Sequence, residues 1–234
     1  MNDDRPPGRS PRAKTGGAGR VRDPEQTRER ILDAARDEFS AKGLSGARVN
    51  TIAERAGVNK QLIYYYFDDK ERLYGAVLER AYRDIRKQEN ALDLDALSPE
   101  DALRRFIHFN FDYTVKNRYF VALLNDENLH KARHAKVNDR IPALQSTMKR
   151  TLARVIRRGL EDGSFRREAD PVELYISIAS LCYFFLSNRH TLSVIFNVDL
   201  LESDRIEARR DHVTEMVLSY LRSVPAAPPG QHKT

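Results

Sequence analysis

The stretch AGVNKQLIYYYFDDKERLYGAV, residues 56–77, sets three tyrosines and a phenylalanine side by side. Consecutive side chains on a helix or a strand cannot all face one core, so Tyr64, Tyr65 and Tyr66 have different surroundings. At about 100° per residue, Ile63, Tyr66 and Phe67 share one arc of a helix, and that arc reads as the core face. Gln61 and Tyr65 lie opposite, one turn apart. Tyr64 sits on one flank with Lys60, and Leu62 on the other. Ahead of this helix, Gly57 permits a left-handed corner, Ala53 lets two helices approach closely, and Asn59 suits an N-cap. The reading is a helix–turn–helix that presents Lys60, Gln61, Tyr64 and Tyr65 outward. A cation, an amide and two phenols suit a duplex groove, where Lys and Tyr hydroxyls meet phosphates and Gln reads an adenine edge. A plain helical hairpin with surface tyrosines fits the same spacing.

Working outward, the whole chain reads as helix, with no strand alternation and no internal repeat. Ile31, Leu32, Ala35 and Phe39 form an apolar stripe that Gly43 ends. Val49, Ile52, Ala53 and Ala56 mark a short second helix. Asp68 and Asp69 precede a long fourth helix, where a helix start favours negative charge. Beyond a break near residues 92–99, Asp170 and Pro171 open another helix as N-cap and first helical residue. The expectation is an all-α chain of about nine helices, the first three forming a small head.

The run RILDAARDEFSAKGLSGARVNTIAERAGVNKQLIYYYFDDKERLYGAVL, residues 30–78, resembles the DNA-binding head of the tetracycline-repressor (TetR) family, with IAERAGV, YYYF and DKERLY in the family's order and spacing. The resemblance implies that Asn59, Lys60, Gln61, Leu62, Tyr64 and Tyr65 belong to the recognition helix, that Lys70 contacts a phosphate, and that Arg48 and Thr51 face the DNA backbone. Arg48, Asn59 and the Gln61–Leu62 pair depart from the residues usual at those places, which leaves the operator sequence open. The segments LLNDENLHKARH, GSFRREADPVELYISIASLCYFFLSNRHTLS and the last helix resemble the family's ligand-binding, dimerising body. The implied protein is a homodimeric transcriptional regulator, a repressor released from a palindromic operator by a small-molecule effector. The expected organisation is a disordered basic arm at 1–22, a helix–turn–helix domain at 23–69, an effector-binding and dimerisation domain at 70–223, and a disordered tail at 224–234.

In the body, polar residues embedded in apolar helices, together with aromatic neighbours, are the effector candidates: His108, Phe109 and Tyr113 in one helix, Asn125, Glu127 and His130 in the next, and Phe184, Asn188 and Arg189 near the end of the apolar helix. Arg189 suits a carboxylate clamp or a helix cap. His130 and His134, four residues apart, share a face, as metal ligands do. A metal-dependent hydrolase built on His108, His130, His134 and Glu127 is therefore one alternative, and an architectural DNA binder with no effector is another. No HExxH, phosphate loop or GxSxG motif accompanies them, so no catalytic residue, metal or cofactor is assigned.

The 234 residues carry a formal charge of +6. The first 22 residues hold six cations against Asp3 and Asp4, a local excess of +4, in a Pro/Gly-rich arm suited to phosphates or to solvent. Cys182 is the sole cysteine and reads as a small buried hydrophobe, which excludes an internal disulfide. No membrane-length apolar run or secretory segment appears, and the expected location is the cytoplasm.

Overall fold

Asp23 opens the first helix, its side chain accepting a hydrogen bond from the Glu25 N–H, and Pro24 takes the first helical place. The computed structural model describes residues 23–138 and 140–224, the side chains of 142–146 excepted. The arm assigned to 1–22 and the tail from 225 onward lie outside the described residues. Among the described residues there are eleven α-helices, one 3₁₀ turn at Leu94–Ala96, and no strand.

The head is α1 (Pro24–Gly46), α2 (Val49–Ala56) and α3 (Lys60–Phe67). Gly43 sits at φ 66°, ψ 173°, so α1 kinks there, where the sequence placed its end. Gly57 occupies the left-handed conformation at φ 63°, ψ 39°, the corner expected between α2 and α3. Asp69 caps α4 (Lys70–Asn90) by accepting from the Arg72 N–H. The body adds α5 (Pro99–Lys116), α6 (Arg118–Leu129), α7 (Arg133–Lys136), α8 (Arg140–Glu161), α9 (Pro171–Ser187), α10 (Arg189–Phe196) and α11 (Ser203–Arg222). Asp170 caps α9 through the Val172 and Glu173 N–H groups, as expected from the sequence.

The count exceeds nine in two places. Lys131 and Ala132 both take φ 56°, which separates α7 from α6. The buried Glu127 carboxylate then accepts the His134 and Ala135 N–H groups, capping the new helix from a distance. Asn188 likewise separates α9 from α10, a short helix whose Val194, Ile195 and Phe196 remain exposed.

Two apolar clusters hold the molecule. One runs from Ile31, Phe39, Ile52 and Phe67 in the head through Tyr74 and Ile85 of α4 to Leu123 of α6. The other joins α5, α8, α9 and α11 through Phe106, Phe111, Leu152, Ile178 and Leu218. The head cluster therefore continues across residue 69 into α4 and α6 without a break in packing.

Candidate nucleic-acid interface and effector cavity

The interface rests on α3, whose core face carries Ile63 and Phe67, 1% and 5% exposed. Tyr65 is 79% exposed and Tyr64 40%. Tyr66 is half-buried against the head cluster, its ring edge-on to Tyr65 at 5.4 Å between centroids. The core arc thus holds at Ile63 and Phe67, but Tyr66 lies at its rim. An arc of side chains on so short a helix reaches the head's edge before it is covered on all sides.

Lys60 and Gln61 are exposed, and the Lys60 ammonium lies 5.7 Å from the Tyr64 ring centroid, a cation–π contact. Asn59 accepts the Gln61 N–H at 2.9 Å, so its side chain shapes the helix start. Leu62 and Thr51 are half-buried and Arg48 is exposed. Lys70 donates to the Ala47 carbonyl at 3.3 Å, tying the start of α4 to the loop before α2.

Behind this face lies Glu38, fully buried, a residue not singled out in the sequence. It accepts from the Lys42 ammonium at 2.8 Å and from the Arg48 N–H at 3.3 Å, and Arg55 stands 3.5 Å from its second oxygen. The hydrogen bond from Lys42, then the Arg48 N–H and the cations, outweigh burial and hold its carboxyl below the usual value. The Glu38–Lys42 spacing of four is the only signal in the sequence for it, and that pattern is ordinary on helix surfaces.

The head meets the body through α4 and α6. α4 passes from α3 into the body. Independently, Asp126 of α6 accepts the Leu44 N–H at 2.8 Å, beside Gly43 at the α1 kink.

A cavity of about 340 Å³ lies between α4, α5, α6 and α9. Its walls are mostly aromatic and aliphatic: Tyr82 and Ile85 from α4, Phe120 and Leu124 from α6, Tyr175 and Tyr183 from α9. Asn110, Thr114, Asn128 and Ser180 add polar groups. Burial pushes the Tyr82 phenol up to about 12 and the Cys182 thiol at the wall up to about 12, so both stay protonated at neutral pH.

The nine effector candidates do not gather there. His108 faces α11, where burial and then Arg210 lower its pKa. Phe109 is half-buried at the head cluster, and Tyr113 is buried with its hydroxyl 3.4 Å from that of Tyr119. Asn125 accepts from the hydroxyl of Tyr183, a residue of the cavity wall. Glu127 is engaged with α7 and with the His134 ring at 2.7 Å. His130 pairs with the Asp126 carbonyl at 2.8 Å. Phe184 is 56% exposed on the outer side of α9. Asn188 and Arg189 bond the Phe184 and Leu186 carbonyls, closing the end of α9. Among the described residues no three His, Cys, Asp or Glu side chains are placed to hold a metal.

Residues 31–77 match the family model described as bacterial regulatory proteins, tetR family, and residues 99–217 match the tetracyclin repressor-like C-terminal domain. The chain is 40% identical to the HTH-type transcriptional repressor NicS of Pseudomonas putida over 195 residues, 83% of this chain and 91% of that one. Two solved structures share the fold: a tetR-family regulatory protein of Rhodococcus at TM-score 0.65 and 19% identity, covering 83% of this chain and 96% of that one, and the regulator PfmR of Thermus thermophilus at 0.60 and 23%, covering 86% and 98%.

Proposed function

The chain belongs to the tetracycline-repressor family of DNA-binding transcriptional regulators, and from that premise we propose that it is a homodimeric repressor released from its operator when a small molecule enters the body cavity. The family is non-enzymatic, and the aromatic cavity is a binding site rather than a reaction centre. One observation carries the reading: α4 begins against the recognition helix and lines the cavity with Tyr82 and Ile85 near its other end. A ligand that favours a different placement of α4 shifts the separation of the two heads, and with it operator affinity.

The dimer reading rests on α9 and α11. Glu173, Ser177, Ser180 and Phe184 form one exposed stripe on α9, and Met216 and Tyr220 of α11, 45% and 48% exposed, continue it across a shallow apolar groove. A face on which exposed Phe184, Met216 and Tyr220 stand among small and polar side chains fits a symmetric interface made from the same surface twice. Among the described residues no helix is long and apolar enough to cross a membrane, which accords with work on DNA in the cytoplasm.

The test is footprinting on the DNA flanking the chain's own gene. Protection of an inverted repeat with half-sites about one helical turn apart, or slightly more, is expected. Protection of a single half-site by a monomer would sink the proposal.

A further inference from the structure

The floor of the cavity is backed by a buried ionic network that the DNA-binding role does not need. Arg86 of α4 is 3% exposed. Its guanidinium is ion-paired to Glu89 and donates to the Tyr175 hydroxyl at 2.7 Å, while its Nε–H is buried with no partner. The other Glu89 oxygen accepts from Asn110 at 3.3 Å. The charged pair is hidden, but both ends of the chain, Tyr175 and Asn110, line the cavity.

The hydrogen-bond directions decide what this arrangement can bind. The Tyr175 oxygen already accepts from Arg86, so its own O–H proton is free to be donated elsewhere. Burial holds that phenol above its usual range, so it remains a donor at neutral pH. A donor whose oxygen is polarised by a guanidinium is strengthened, and a charge-assisted bond favours an anionic acceptor. Asn110 donates both of its N–H groups, to Glu89 and to the Phe106 carbonyl. The rest of the wall, with Tyr82, Phe120 and Tyr183, offers flat apolar surface.

We propose that the cavity recognises a small aromatic carboxylate, its ring held among the cavity aromatics and its carboxylate accepting a hydrogen bond from the Tyr175 hydroxyl, with Arg86 as the cation behind that bond. The inference rests on the effector reading above and names the chemical class of the ligand. Glu89 is already held by Arg86 and Asn110 on its two oxygens, while burial raises its carboxyl above the usual value. Because Arg86 and Glu89 belong to α4, the carboxylate is read by the same helix that carries the head.

Calorimetric titration of the full-length chain with 2-naphthoate, indole-3-acetate and benzoate, each beside its neutral amide, tests this. At least one carboxylate is expected to bind about tenfold or more tightly than its amide. Tyr175→Phe keeps the ring and removes the hydroxyl. It is expected to shrink that preference to less than about threefold by weakening the carboxylate more than the amide, with helicity by circular dichroism unchanged. Equal binding of acid and amide, no binding by any of the three acids, or an intact preference in a folded Tyr175→Phe protein would each overturn the proposal. Operator binding is measured separately by gel shift. A chain that binds these acids but no DNA would refute the repressor reading and leave the ligand class standing.

Discussion

Tyr65 and Tyr66 are neighbours with different expected responses to alanine. Tyr65 is exposed on the outer face of α3, so Tyr65→Ala, like Lys60→Ala, should weaken operator binding roughly tenfold with no change in the urea midpoint. Tyr66 packs half-buried at the rim of the head cluster. Tyr66→Ala should therefore cost about 1–2 kcal/mol, less than the 3–5 typical of a fully buried aromatic. Unfolding curves and gel-shift titrations on the three variants check this, and a Tyr66→Ala protein of full stability would contradict the placement. Glu38 adds a pH dependence. Its folded pKa lies below the ordinary 4.5, so its stabilising effect is complete above that pH and is lost as pH falls through the depressed value. Glu38→Gln should be less stable than wild type by about 1–3 kcal/mol at pH 7, and the gap should narrow below pH about 4.5. A gap that stayed constant to pH 3 would show that the carboxylate charge is not what matters.

At the scale of elements, the head is held by two helices rather than one. α4 carries it, and α6 grips the α1 kink through Asp126. Asp126→Ala leaves the Leu44 N–H without its acceptor, an expected loss of about 1–3 kcal/mol, and hydrogen exchange at the Leu44 amide should quicken. Gly43 couples to the same contact. A Cβ there would stand 2.6 Å from an Asp126 oxygen and occupy φ 66°, which disfavours any L side chain. Gly43→Ala should thus be strongly destabilising alone and less so in the Asp126→Ala background, where the clash is relieved and the strain remains. A double-mutant cycle with zero coupling would show that the two residues do not act together.

At the scale of the whole molecule, the exposed α9–α11 face has to be accounted for. Phe184 projects outward from α9 in the single chain, so Phe184→Glu should leave the protomer's thermal stability unchanged. In the proposed dimer a carboxylate there would be buried unpaired at the interface, and sedimentation should show monomers that no longer protect an operator. A variant that stays dimeric would move the interface away from this face of α9.

The head was legible in the sequence because its determinants are local: helical spacing of Ile63 and Phe67, a glycine for the Gly57 corner, the Asn59 cap, and Asp69 at the start of α4, all acting within a few residues. Nearness of polar and aromatic residues along the chain marks helix closers such as Arg189 and outward residues such as Phe184 equally with cavity residues. The cavity instead takes Tyr82, Asn110 and Tyr175 from helices far apart in sequence, and Arg86 reaches Tyr175 across 89 residues. Glu38 looks like a surface glutamate until packing buries it against its partners. Spacing along a helix determines which residues share a face. Only the packing of helices determines what that face meets, because burial and hydrogen-bond partners are set by neighbours that no local pattern encodes.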